Sequence, residues 1–133
     1  MKPNVLLVED SNTIRHIIRV YLTKLKLGFL EAERAERGLR LLATSPVDLI
    51  IADFNMPGGM DGLEFARQVR AHEREAVRRV PIVLLTGGKA PDLEARALKA
   101  GVSEFVRKPI SSNALADVVR RHLALSESVE LVA

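Results

Sequence analysis

The sequence predicts an α/β domain, a five-stranded parallel sheet with helices on both faces. Short continuous apolar runs recur at residues 5–8, 49–52 and 82–85, each of a length suited to a strand covered on both sides. Between them lie stretches whose apolar residues fall at helical spacing, so that strand and helix alternate along the chain. The runs also end in polar residues that a parallel sheet would align on one edge: Glu9-Asp10, Asp53, Thr86 and Lys108.

Each element has its own justification. Val5-Leu6-Leu7-Val8 is the first strand, and Ser11-Asn12 after it supplies N-cap oxygens. Ile14, Ile17, Ile18, Tyr21, Leu22 and Leu25 then form one stripe of an amphipathic helix, with Arg15, His16, Arg19 and Lys24 off the stripe and Gly28 as its C-cap. Phe29-Leu30-Glu31-Ala32 is the second strand. Ala35, Leu39, Leu42 and Ala43 stripe a second helix that Ser45-Pro46 stops. The third strand, residues 47–52, runs directly into Asp53. Asp61-Gly62 opens a third helix reaching from Leu63 to about Glu75, with a polar end before Pro81. Ile82-Val83-Leu84-Leu85 is the fourth strand and leads into Thr86-Gly87-Gly88. Pro91 suits the first turn of a fourth helix carrying Leu93, Ala97 and Ala100 and ending at Gly101. Glu104-Phe105-Val106 is a short fifth strand before Arg107-Lys108-Pro109. Ser111 or Ser112 caps a last helix with Leu115, Val118, Val119 and His122 on one side. Residues 126–133 read as a short mobile tail, which leaves one domain over residues 1–125.

Composition narrows the function classes. The 133 residues include no Cys, so disulfides and thiolate metal sites are excluded. No signal peptide or membrane-length apolar stretch is visible, and the expected location is the cytoplasm. The net charge is +3, but basic residues alternate with Glu on helical stretches and aromatic residues are few. That pattern describes a solvated, salt-bridged surface, and no direct nucleic-acid partner is expected. The densest basic stretch, residues 67–79, holds five Arg against two Glu and could form a contact surface.

The polar edge carries the chemistry. In the flavodoxin-like strand order 2-1-3-4-5, the first and third strands are neighbours at the switch point, where ligands bind. Glu9, Asp10 and Asp53 then converge. Two like charges about 4 Å apart repel by about 4 kcal/mol at an effective dielectric of 20, so the cluster calls for a cation. Few hard oxygen donors favour Mg²⁺, completed by water and phosphate.

From Asn4 to about Leu125 the chain resembles a response-regulator receiver domain. The resemblance is carried by Glu9-Asp10, the acid within ADFNMPGGMDG, the hydroxyl of LLTGG and the Lys-Pro of FVRKPI. It implies that Asp53 is a phosphoacceptor, taking a phosphoryl group from a histidine kinase or histidine phosphotransfer protein. It implies Mg²⁺ held by Glu9, Asp10, Asp53 and the backbone carbonyl of Asn55, with Lys108 neutralising the phosphoryl oxygens. Thr86, with Gly87 beside it, would bind the phosphoryl group. Phe105 would turn inward as Thr86 moves, and Lys108-Pro109 would be a cis peptide. The face formed by the fourth helix, fifth strand and last helix would then engage a downstream protein or a second copy. With no output domain after Leu125, the chain reads as a stand-alone receiver or one excised from a longer regulator.

The sequence also departs from the family pattern. Gly58-Gly59 lengthens the loop before the third helix, residues 71–80 are extended, and Phe105 stands where Tyr is commoner. Gly88 leaves no side chain two residues past Thr86. With Asn55, it is expected to tune dephosphorylation toward a phosphoaspartate that is not unusually long-lived. Three other functions fit less well. A haloacid-dehalogenase-like phosphatase needs an acid where Asn55 stands. A flavin or dinucleotide site needs a glycine-rich loop after the first strand. A scaffold that binds partners without phosphorylation would have no use for the complete set of site residues.

Overall fold

In a computed structural model of the chain, residues 2–88 and 91–132 are described, with side chains of the last helix described as far as Leu123. Strands β1 (Asn4–Val8), β2 (Gly28–Ala32), β3 (Leu49–Asp53), β4 (Ile82–Thr86) and β5 (Glu104–Arg107) form one parallel sheet in the order β2-β1-β3-β4-β5. This is the predicted order. The helices are α1 (Asn12–Tyr21), α2 (Ala35–Thr44), α3 (Gly62–Arg70), α4 (Glu75–Arg78), α5 (Leu93–Lys99) and α6 (Ser112–Val132).

Strand alternation divides the core into two layers. Leu6, Val8, Ile50, Ala52, Ile82 and Leu84 point to one face and pack with Leu42, Phe65, Leu93 and Ala97 from α2, α3 and α5. Val5, Leu7, Leu49, Ile51, Val83 and Leu85 point to the other and pack with Ile18, Leu22, Leu115 and Val119. β1, β3 and β4 are covered on both sides, which is why their sequences read as unbroken apolar runs. The register pairs Val8 with Ala52 and Asp53 with Leu85, so the residues following β1 and ending β3 sit side by side. Among the described residues, no helix is long and apolar enough to cross a membrane.

Four boundaries differ from the expected ones. The first helix ends at Tyr21, a 3₁₀ turn follows at Thr23–Leu25, and Lys26 takes the left-handed conformation at φ 55°. Gly28 therefore opens β2 instead of capping the helix. It lies tight against Asn4, whose Oδ1 would be 2.5 Å from any added Cβ. The third helix stops at Arg70 instead of about Glu75. No apolar residue lies between Val69 and Val77 to hold it on the core except the small, exposed Ala71 and Ala76, and the chain restarts as the single turn α4. Pro91 lies before the Asp92 cap of α5, outside the helix. Finally, α6 continues to Val132 through the residues expected to be a tail, since no Gly or Pro follows Pro109 to stop it.

The basic stretch has an internal explanation. Arg70 donates from Nε to the Gly101 carbonyl at 2.9 Å and from Nη1 to the Arg78 and Val80 carbonyls, both at 2.7 Å. Arg74 binds the Ala43 carbonyl, and Arg78 binds those of His72 and Glu73. Arg67 and Arg79 form helical pairs with Glu64 and Glu75. Three of these arginines tie backbone ends together and the other two are paired with glutamates, so the stretch is not a free cationic patch.

Candidate functional site

Asp53 is the last residue of β3, with β1 on one side and β4 on the other. Its backbone position is fixed where the strand opens into the loop: Phe54 N–H donates to the Leu85 carbonyl at 2.8 Å, and Gly62 N–H to the Phe54 carbonyl at 2.9 Å. Gly62 is required there. A Cβ would lie 2.8 Å from the Asp53 carbonyl and 2.7 Å from Leu84 Cδ1. Asp61 caps α3 by accepting from Glu64 N–H.

Glu9 and Asp53 are buried, with 3% and 5% of their surfaces exposed, while Asp10 is exposed at the rim. One carboxylate oxygen from each of the three lies within 4.8 Å of the others. Glu9 Oε2 accepts from Ser11 N–H at 3.0 Å, whereas Glu9 Oε1 and Asp53 Oδ1 have no hydrogen-bond partner. Lys108 Nζ stands 3.0 Å from Asp53 Oδ1 and 3.8 Å from Glu9 Oε1. The nearer contact is an ion pair whose angles fall outside hydrogen-bond geometry, which reconciles its short distance with an oxygen lacking a directed donor.

Burial dominates the electrostatics. It pushes the Glu9 carboxyl up to about 7, assisted by the hydrogen bond with Asp10 and the charge of Asp53, against the Ser11 N–H and Lys108. Burial also raises Asp53, opposed by Lys108 and reinforced by Asp10. One ammonium does not compensate two buried acids and a third at the rim. Orphaned hard oxygens around a shared space fit a divalent cation such as Mg²⁺.

The remaining expected residues surround this cluster. Thr86 ends β4 fully buried, and its Oγ1 accepts from Gly88 N–H at 2.9 Å. The Thr86 carbonyl accepts from Lys108 N–H at 2.8 Å. Gly87 is exposed, with open space where a side chain would project. Gly88 is tighter than the sequence suggests, because a Cβ there would meet Thr86 Oγ1 at 3.2 Å and Leu93 Cδ2 at 3.3 Å. Asn55 is exposed in the loop two residues past Asp53. The Lys108-Pro109 peptide is cis. Phe105 is half-buried on β5 and packs against the core layer of α2, α3 and α5.

Two arginines near the site were not singled out by sequence reasoning. Arg107 donates to the Gly88 carbonyl at 2.7 Å and lies 5.2 Å over the Phe105 ring. Arg15 donates to the Glu9 carbonyl. Position beside Lys108 was the available signal for the first. For the second, it was a helix position off the apolar stripe within a turn and a half of the acid pair. An apolar groove of about 300 Å³, lined by Ile14, Ile17, Ile18, Tyr21 and Ile110, lies next to Lys108 and Pro109.

Comparison with known proteins agrees with this geometry. The family model described as the response regulator receiver domain matches residues 5–120. The chain is 38% identical over 117 residues to the chemotaxis protein CheY1 of Helicobacter pylori, covering 84% of this chain and 89% of that protein. It is 35% identical over 133 residues to the KDP operon transcriptional regulatory protein KdpE of Escherichia coli, covering 97% of this chain but only 56% of that longer protein. Among solved structures, it is similar to the receiver domain of the Pseudomonas aeruginosa sensor histidine kinase PA1611, solved with a magnesium ion in its active-site cleft. The TM-score is 0.82 at 27% identity, covering 93% of this chain and 99% of that one. The chain belongs to the response regulator receiver domain family.

Proposed function

We propose that the chain is a phosphoacceptor switch of a two-component system, with Asp53 as the acceptor. The observation that carries this reading is the buried Asp53 Oδ1, which lacks a directed hydrogen bond yet faces Lys108 and two further acids. An Asp53 carboxylate oxygen forms a P–O bond as the P–N bond to a donor phosphohistidine breaks. The imidazole leaves with the electron pair and takes up a proton from solvent. Glu9, Asp10, Asp53 and the Asn55 carbonyl would hold Mg²⁺, which supplies charge neutralisation at the phosphoryl oxygens. Lys108, 3.0 Å from Asp53 Oδ1, would share that work. Thr86 Oγ1 accepts from Gly88 N–H and keeps its own O–H to donate to the phosphoryl group, so a shift of Thr86 on modification would carry the loop before α5 with it.

The proposed partners are a histidine kinase or histidine phosphotransfer protein and, after switching, a target or second copy on the α5–β5–α6 face. The groove beside Lys108 offers the donor an apolar surface, with Ile17 exposed in its lining. The proposed location is the cytoplasm, and the proposed chemistry is limited to accepting and losing the phosphoryl group. Intact-mass spectrometry after incubation with acetyl phosphate tests the reading. A phosphoryl adduct that requires Mg²⁺ and vanishes in Asp53→Ala is expected. No adduct, where a control receiver is labelled, would instead leave a receiver-fold scaffold that does not cycle.

A further inference from the structure

Asp10 is the exposed member of the acid cluster, so its placement depends on the backbone that carries it. The backbone of the preceding residue, Glu9, is anchored on both sides. Glu9 N–H donates to the Ala32 carbonyl of β2 at 3.0 Å, and the Glu9 carbonyl, which is bonded to the Asp10 nitrogen, accepts from Arg15 Nη1 at 2.5 Å. The guanidinium is itself held in place. Its Nε pairs with Glu31 Oε1 at 2.8 Å, its Nη2 donates to Asn12 Oδ1 at 3.2 Å, and only 14% of its side chain is exposed. Glu31 also pairs with Arg19, which is more open at 32% exposed and has no contact with the acid-bearing turn among its hydrogen bonds.

We infer that Arg15 is a positioning residue for the cation site: it fixes the Glu9-Asp10 peptide so that the Asp10 carboxylate is presented beside Glu9 and Asp53. The inference rests on the Mg²⁺ reading above. Its sign separates it from simple electrostatics. Arg15 is a cation bound to the backbone of one of the cluster acids, so through space alone its removal would strengthen binding of another cation. As the clamp on the peptide that carries Asp10, its removal weakens binding, as loss of groups that orient metal ligands generally does. Arg19 gives the control, because its removal takes the same charge from the same Glu31 and leaves the clamp intact.

The test is calorimetric titration of the full chain with MgCl₂ at constant ionic strength, alongside melting curves in chelator. Arg15→Met keeps an apolar stem of helix-compatible shape and removes every donor. It is expected to weaken Mg²⁺ binding by about tenfold, while Arg19→Met leaves affinity within about twofold and lowers the metal-free melting temperature comparably. Arg15→Lys keeps the charge without the fork and should bind Mg²⁺ more weakly than wild type even if Arg15→Met does not fold. Unchanged or tighter binding in Arg15→Met would overturn the role of Arg15 alone. If only Arg15→Lys folds, wild-type affinity in that variant would do the same. A wild-type chain that binds no Mg²⁺ would overturn the cation site itself, and the clamp with it.

Discussion

Buried charge is handled in opposite ways at the two ends of the sheet. At the amino ends of β4 and β5, the Arg70 guanidinium is half-buried, and its donors meet three backbone carbonyls and the Ser103 hydroxyl. At the carboxyl ends of β1 and β3, Glu9 and Asp53 are more deeply buried, and each keeps an oxygen without a hydrogen bond. A satisfied buried ion joins elements together, here α3, α4 and the loops before β4 and β5. An unsatisfied one raises the energy of the resting fold and is poised for a ligand. The first arrangement serves stability, and the second gives up some stability for chemistry.

The largest effect that could break this contrast is at Arg70. Arg70→Met should lower unfolding free energy by about 3 kcal/mol, since the carbonyls it serves lose their partner. The folded fraction should still accept phosphate from acetyl phosphate. Denaturant melts with intact-mass labelling measure both, and a variant as stable as wild type would mean the staple is dispensable. Next is Gly62→Ala, where the added methyl meets the Asp53 carbonyl and Phe54 Cα at 2.8 and 2.9 Å. About 2 kcal/mol of destabilisation and a slower Asp53 labelling rate are expected. Gly59→Ala, with no atom near its Cβ, should change neither.

A pH series sharpens the comparison. The Glu9 carboxyl, ordinarily near 4.5, is pushed up to about 7 in the fold, so the native state holds a proton that the unfolded chain releases. The Glu9 contribution to metal-free stability is therefore full below about 4.5 and is lost as pH rises through about 7, on the order of 3 kcal/mol. Asp53, also raised, acts in the same direction. Glu104 is lowered by Arg121 and His122, so its contribution is present above the ordinary carboxylate range and fades only below it. Saturating Mg²⁺ should oppose the decline, because the ionised acids bind it. Melting temperatures that rise with pH through this window without metal would contradict the assignment. The smallest effect is at Asp53. Asp53→Asn should lose labelling yet unfold about 1 kcal/mol less readily than metal-free wild type at neutral pH, because it removes a desolvated carboxylate. An equal or lower stability in denaturant melts would count against the trade.

The contrast also explains what could be read from the sequence. The site acids were legible because each follows a run of apolar residues, and a parallel sheet turns several such run-ends into one edge. Thr86 and Lys108 followed by the same logic. Arg70, Arg15 and Arg107 were not legible. They act on backbone carbonyls, and a carbonyl has no side-chain identity to mark it. Arg70 and Arg74 therefore looked like members of a basic patch, and Arg15 like a solvent-facing helix residue. The helix ends were missed for a related reason. The third helix stops where core contacts cease, and Lys26 adopts a left-handed turn that Gly28 had been expected to supply.

The crossover that seats β3 beside β1 has a consequence for how this protein is made. Its cluster joins residues 9 and 10 to residue 53, and its ammonium comes from residue 108, so the segments that meet are spread across the chain. No early portion emerging from the ribosome holds the complete cluster. Asp53 gains its lysine only after β5 has paired with β4. On the proposed function, competence to accept a phosphoryl group would thus be a late event of synthesis.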